Sequence, residues 1–132
     1  VKWPNKISAK GSINHQPGHI IDVMATIVDV TNIEYPETYK NNSIKPLEGK
    51  SILPLLEGEA QIDNDEFYWE HIGNRAARKG DWKLVAMDGK PWELYNIKLD
   101  RTEMNNLIES EPEIAKQLKE SYRIWAEENG VR

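Results

Sequence analysis

The sequence predicts an α+β fold, in which a small antiparallel sheet of about four strands is covered by a C-terminal helix and preceded by another helix and a long connector. Three observations support this prediction. Aromatic runs and turn signals alternate between residues 66 and 96, an apolar stripe with helical spacing runs from Ile114 to Trp125, and apolar residues recur at helical spacing between residues 18 and 32. The chain has 132 residues, the size of one typical domain.

The sheet is predicted from alternation and turns. Residues 67–69 form an aromatic strand, and the Gly-Asp pair at residues 80–81 is typical of a tight hairpin turn. Residues 82–87 then alternate between two faces, which is the period of a strand. A second turn at residues 88–89 leads to one more strand at residues 92–95, so we expect about four strands.

The covering helix is predicted from one apolar stripe that contains Ile114, Leu118, Tyr122 and Trp125. Residues 110–113, Ser-Glu-Pro-Glu, have the composition of a capping box with proline in the first turn. We expect the stripe to lie against one face of the sheet.

The first helix, predicted at residues 18–32, is apolar around much of its circumference and needs cover on several sides. We therefore expect residues 1–32 to belong with a larger α/β domain that is missing from this chain. Residues 33–65 are expected to form a connector with a short helical turn near residues 51–56. Residues 66–132 are expected to form a C-terminal subdomain.

Composition excludes several classes of protein. The net charge is −5 and the basic residues are dispersed among acids, which argues against a nucleic-acid-binding domain. No apolar run approaches the ~20 residues that cross a bilayer, so no membrane span is predicted. The chain has no cysteine, which excludes a disulfide, a Cys-ligated zinc ion or a Cys nucleophile within it.

The histidines and acids form no recognisable metal-binding pattern. His15 and His19 are four residues apart, but Pro17 and Gly18 lie between them and interrupt a helix. The acidic run at residues 63–66 fails the pattern of an EF-hand loop. We therefore predict no metal site in this chain. No serine lies in a nucleophile elbow, so no catalytic residue is predicted either.

The segment His-Ile-Gly-Asn-Arg, which joins two predicted strands, is a candidate binding site. His71, Asn74 and Arg75 are suited to bind an anion or a sugar, because arginine offers a bidentate fork and the other two offer directional hydrogen bonds. The alternative interpretation is structural: Gly73 makes a turn, and Arg75 pairs with Glu70 or another acid.

Four segments resemble the C-terminal region of arylsulfatase-type sulfatases, in the order of that family. Residues 19–30 resemble its HxxDxxPTLLDL helix, with Ala25 in the place of the proline, and residues 47–58 resemble its GxSLLPLLxG connector. Residues 67–85 are similar to the block WEHxGNRAxRxGxWKL, and residues 92–107 are similar to ELYNLxxDxxExxNL.

The resemblance implies a sulfuric ester hydrolase of the alkaline phosphatase-like superfamily, with this chain as its C-terminal fragment. It implies a large N-terminal α/β domain that carries the chemistry. In that family a Cys or Ser in a C/S-x-P-x-R motif becomes formylglycine, and a calcium ion polarises the sulfate. The S-x-P sequence at residues 110–112 lacks the arginine of the motif. We therefore assign no catalytic residue, metal ligand or cofactor to this chain, and expect the calcium and the formylglycine in the full-length enzyme.

The resemblance also implies that this fragment helps to recognise substrate. His71, Asn74 and Arg75 are then candidates for contact with a sulfated small molecule or glycan. Bacterial members of the family are often periplasmic or secreted, and we expect the same here.

Other hypotheses remain open. A stand-alone module for sulfated or anionic glycans would need an exposed patch of aromatic residues and arginine. A purely structural domain would need no such patch. A phosphatase or phosphodiesterase relative is a further alternative, because that superfamily shares the large domain.

Overall fold

The chain divides into two units, Val1–Asn64 and Asp65–Arg132, in the computed structural model. The structure describes residues 1–7, 11–59, 61–63 and 65–131. In chain order, the first unit contains helix α1 (Asp22–Thr31), strands β1 (Thr38–Tyr39) and β2 (Asn42–Ser43), and helix α2 (Leu53–Glu57). The second unit contains strands β3 (Glu66–His71), β4 (Asn74–Lys79), β5 (Trp82–Ala86) and β6 (Glu93–Asn96), followed by helix α3 (Pro112–Glu128).

Helix α1 begins at Asp22, later than the apolar spacing predicts. The Asp22 side chain is buried, and its carboxylate accepts hydrogen bonds from the backbone N–H groups of His19 (2.7 Å) and Lys50 (2.9 Å). The bond to His19 holds the preceding residues in a turn ahead of the helix. The bond to Lys50 ties the connector to the first turn of α1.

The connector packs closely against α1 at Gly49. A Cβ atom at this position would lie 2.2 Å from the backbone oxygen of Ile21, so the close approach requires glycine. The Thr26 hydroxyl accepts the backbone N–H of Ile52 at 3.0 Å. Helix α2, the helical turn expected in this region, follows directly and contacts α1.

The β1–β2 hairpin was not predicted. Its strands have two residues each, and its turn places Lys40 and Asn41 at φ values of 49° and 63°. Strands this short leave no alternation for a sequence pattern to show.

Much of the surface of α1 is exposed. Only Asp22 and Ala25 are buried among its residues, whereas Val23, Met24 and Ile27 are 51%, 51% and 52% exposed. The excess apolar surface that the sequence predicts for this helix is therefore present.

The second unit is the predicted sheet with its covering helix. Strands β3, β4, β5 and β6 form one antiparallel sheet in sequence order. Lys79 pairs with Trp82 across Gly80-Asp81, which confirms the predicted hairpin turn. One face of the sheet packs against α3, so the α+β fold is confirmed. The core between them contains Ala77, Leu84, Leu94, Ala115, Leu118 and Tyr122.

The predicted capping box at the start of α3 is wrong. The N-cap is Glu111, which makes no side-chain capping bond, and the Ser110 hydroxyl donates to the carbonyl of Leu107 at 3.2 Å. The reason is Pro112 at the start of the helix, since a residue before proline is driven out of the helical region. Glu111 has φ −126° and ψ 57°, so the helix begins after it.

Candidate functional site

The predicted site residues lie at the end of the β3–β4 hairpin, where the register divides them between two faces of the sheet. His71 pairs with Asn74, and Glu70 pairs with Arg75. Because side chains alternate along a strand, His71 and Asn74 share one face and Arg75 lies on the other. We call the face opposite α3 the His71 face. The structure thus brings His71 and Asn74 together and separates Arg75 from them.

Arg75 is half-buried on the face that α3 covers. Its guanidinium carbon lies 4.8 Å from the centre of the Trp92 ring, and this ring meets Tyr122 edge-to-face at 5.2 Å. Glu70 forms no ion pair with Arg75, and its carboxylate accepts the backbone N–H of Gly73 at 2.8 Å. Arg75 therefore makes a cation–π contact instead of the ion pair that sequence reasoning offered as the alternative.

Two polar atoms beside this stack have no hydrogen-bond partner among the described residues. They are Nε of Arg75 and the hydroxyl of Tyr122, and both are buried. Burial raises the pKa of Tyr122, and the charge of Glu70 raises it further while the charge of Arg75 lowers it. The Tyr122 hydroxyl therefore stays protonated at neutral pH.

Asn74 connects two turns. Its Nδ2 donates to the carbonyl of His71 at 3.0 Å, and its Oδ1 accepts the backbone N–H of Asp88 at 3.2 Å. The turn at Gly73 has φ 79°, and a Cβ atom there would lie 2.5 Å from a carboxylate oxygen of Asp88. Gly73 makes the turn that the sequence indicates, and Asn74 fixes the position of its neighbour His71.

A shallow trough of about 290 Å³ lies on the His71 face. One straight cross-strand row forms it: Trp69 pairs with Ala76, Ala76 with Val85, and Val85 with Glu93. Small side chains on the two central strands therefore lie between a tryptophan on one edge strand and a glutamate on the other. We call this feature the Trp69 trough, lined by Trp69, His71, Asn74, Arg75, Ala76, Val85, Ala86, Met87 and Glu93.

Sequence reasoning did not single out Trp69 and Glu93 as site residues. The sequence could have placed Trp69 beside His71, because a residue two places earlier on a strand lies on the same face. The position of Glu93 depends on the pairing of β6 with β5, which local sequence does not show.

Glu93 is held by a hydrogen bond within its own strand. The Tyr95 hydroxyl donates to Oε2 of Glu93 at 2.8 Å. Burial and the neighbouring Glu93 carboxylate raise the pKa of Tyr95 to about 12. The phenol therefore remains a donor over the physiological range and fixes the carboxylate at the edge of the trough.

Among the described residues, no group of three or more His, Asp or Glu side chains is arranged to hold a metal ion. The described residues therefore offer no site of their own for the calcium ion that the family resemblance implies in the full-length enzyme. Among these residues no helix is long and apolar enough to cross a membrane.

The family model described as N-sulphoglucosamine sulphohydrolase, C-terminal, matches residues 1–127. The chain belongs to this family. The predicted resemblance to the C-terminal region of sulfatases is therefore confirmed.

Curated relatives of this family member are much longer than the chain. An N-acetylglucosamine-6-O-sulfatase of Bacteroides thetaiotaomicron is 29% identical over 141 residues, covering 96% of this chain and 24% of the relative. An uncharacterised sulfatase of Schizosaccharomyces pombe is 28% identical over 119 residues, covering 85% of this chain and 22% of the relative. The chain thus spans about a quarter of the length of these relatives.

Solved structures share the fold of this family member. The crystal structure of Ps i-CgsB has a TM-score of 0.72 and 20% identity, covering 94% of this chain and 27% of that one. BT4656, solved with its substrate D-glucosamine-2-N,6-O-disulfate, has a TM-score of 0.59 and 24% identity over 80% of this chain and 23% of its own. At this identity the likeness concerns the fold alone.

Proposed function

We propose that this chain is the C-terminal part of a sulfate-ester hydrolase of the arylsulfatase type, which contributes structure and substrate recognition but no catalytic residue. The family match over residues 1–127 is the observation that carries the proposal. The Bacteroides relative is named for a sulfated amino sugar, which favours a sulfated glycan as the substrate over a small aryl sulfate.

The catalytic partner in this proposal is an N-terminal α/β domain of the same chain. The relatives are about four times as long as the region they share with this chain, which leaves room for such a domain. The exposed apolar residues Val23, Met24 and Ile27 of α1 suit a helix that packs against another body. The calcium ion and the formylglycine would both belong to that domain. Periplasmic or secreted location is proposed on the family resemblance.

Recognition is assigned to the His71 face. Neither ring nitrogen of His71 has a hydrogen-bond partner in the described part of the chain, so both are available to a substrate. Asn74 uses its amide to join two turns and acts as a positioning residue for His71. Arg75 directs its guanidinium to Trp92 on the face that α3 covers, so it does not join Trp69 on the His71 face.

The test compares two substrates on the intact protein, carrying its matured nucleophile. We expect hydrolysis of sulfate esters, and we expect His71→Ala to lower kcat/KM for a sulfated sugar about tenfold more than for an aryl sulfate, because one hydrogen bond to the sugar is lost. Ile72→Ala is the matched control, since Ile72 is adjacent and exposed but not part of the trough.

Two results would contradict the proposal in different ways. An intact protein that hydrolyses none of the sulfate esters would overturn the assigned activity. An active protein in which His71→Ala behaves like Ile72→Ala would leave the activity in place and overturn the role of His71.

A further inference from the structure

We infer that the Trp69 trough binds an uncharged pyranose ring, the unit that adjoins the sulfated sugar of the substrate. The inference rests on the proposed function and adds a separate subsite to it. The shape of the trough is the first argument. Ala76 and Val85 form a low apolar floor between the taller side chains of Trp69 and Glu93, and the volume of about 290 Å³ suits one sugar ring.

The aromatic side chain is the second argument. Trp69 is 37% exposed although it is a large apolar residue at the edge of a concave surface. Its ring stacks on Phe67 with centroids 6.0 Å apart and an angle of 28° between the planes, which restricts its orientation. A pyranose has one face of C–H groups, and a fixed aromatic plane beside an apolar floor removes that face from water.

The polar rim is the third argument. Tyr95 holds Oε2 of Glu93, while Oε1 has no hydrogen-bond partner among the residues described. His71 offers a ring nitrogen at the end of the same trough. An acceptor and a donor at the border of an apolar surface match the ring hydroxyls of a sugar, which lie at the rim of its apolar face.

The charge of the trough decides against an anionic ring. Glu93 is the acidic residue that lines the trough. Two basic residues share this face beside the trough without lining it: Lys83 forms an ion pair with Glu103, and Arg78 donates its Nε–H to the carbonyl of Gly80. The guanidinium of Arg75, which is also a lining residue, lies over Trp92 on the other face. A sulfate or a carboxylate would therefore be repelled, and the sulfated unit of the substrate must lie outside the trough.

The experiment uses the intact protein and two kinds of measurement. The first is kcat/KM for a sulfated disaccharide whose second sugar is uncharged, compared with an aryl sulfate. The second is binding of methyl β-glucopyranoside and methyl β-glucuronide, followed by NMR of the tryptophan indole N–H groups. The variants are Trp69→Ala, Trp69→Phe and Glu93→Gln, with Tyr39→Ala as the control, because Tyr39 is an exposed aromatic residue on β1 and no part of the trough.

We expect Trp69→Ala to lower kcat/KM about tenfold more for the disaccharide than for the aryl sulfate, with Trp69→Phe in between. Binding of the methyl glucoside should perturb the Trp69 indole signal and be lost in Trp69→Ala. Glu93→Gln should reduce the difference in binding affinity between the methyl glucoside and the methyl glucuronide. Tyr39→Ala should match the wild type in every measurement.

Three results would overturn the inference. Equal losses on both substrates in Trp69→Ala and Trp69→Phe would mean that the trough packs against protein and takes no sugar. Tighter binding of the glucuronide than of the glucoside by the wild type would contradict the uncharged ligand. A wild type that binds neither glycoside and still hydrolyses sulfate esters would remove the subsite while keeping the proposed function. Failure of the proposed function itself is recognised separately, as a wild type without sulfatase activity.

Discussion

The guanidinium group of Arg75 lies over the ring of Trp92, with its central carbon 4.8 Å from the ring centre. Trp92 comes just before β6, whereas Arg75 is on β4, so the contact spans the sheet on the side of α3. Tyr122 of α3 meets the same ring edge-to-face. The stack therefore connects the sheet to its covering helix at one end of the core.

Replacement of Arg75 should weaken this end of the domain. We expect Arg75→Ala to lower the free energy of unfolding by about 1–2 kcal/mol, because a partly desolvated cation–π contact is lost. Hydrogen exchange of peptides from β4 and α3 in the intact protein measures the change. Arg101→Ala is the control, since Arg101 is an exposed arginine in a turn. Equal exchange in both variants would show that the stack does not stabilise the domain.

Removal of the buried hydroxyl of Tyr122 should not lower the free energy of unfolding, in contrast to the replacement of Arg75. It has no partner among the described residues, so its removal deletes a group that is desolvated without compensation. We expect Tyr122→Phe to keep the stability of the wild type or raise it by up to ~1 kcal/mol. Tyr122→Ala should cost about 3–5 kcal/mol, because the ring packs in the core. Urea unfolding followed by circular dichroism distinguishes them, and a loss in Tyr122→Phe comparable to that in Tyr122→Ala would contradict the argument.

The sheet and its covering helix could be predicted because their patterns are local. Trp82, Leu84 and Ala86 alternate with the residues of the His71 face over the whole of β5, and the stripe of α3 has four members at helical spacing. The family motifs gave the order of the elements. What these patterns could not give was the pairing of Glu93 with Val85, since it depends on the register between two strands.

The grouping of the candidate site residues took no account of the two faces of the sheet. His71, Asn74 and Arg75 were grouped because they are close in sequence, and the structure divides them because a strand changes face at every residue. Ala77 is a buried core residue, and Arg75 lies two positions before it on the same strand. The alternation of side chains along a strand therefore already places Arg75 on the core face of the sheet. The hydrogen bond between Asn74 and the turn at Asp88 could not be predicted in this way, because Asp88 is 14 residues away in the sequence.

The close approach at Gly49 predicts a sharp difference between two glycines. A Cβ atom at Gly49 would lie 2.2 Å from the backbone oxygen of Ile21, whereas at Gly18 the nearest atom is a carboxylate oxygen of Asp22 at 3.7 Å. We expect Gly49→Ala to destabilise the first unit by about 3 kcal/mol, because backbone must shift to admit the methyl group. Gly18→Ala should be tolerated. Hydrogen exchange of α1 peptides measures both, and equal protection in the two variants would contradict the predicted clash.

The hydrogen bond between Tyr95 and Glu93 predicts a loss of stability at high pH. Burial and Glu93 raise the pKa of Tyr95 from 10.0 to about 12, so the folded state keeps the phenolic proton that the unfolded state loses. The stabilisation is therefore fully present below pH 10 and is lost as the pH rises toward 12. Urea midpoints measured across this window should fall more steeply in the wild type than in Tyr95→Phe. Tyr39→Phe should follow the wild type, because Tyr39 is exposed. If Tyr95→Phe shows the same slope as the wild type, the phenol titrates alike in both states and does not anchor Glu93 at the edge of the trough.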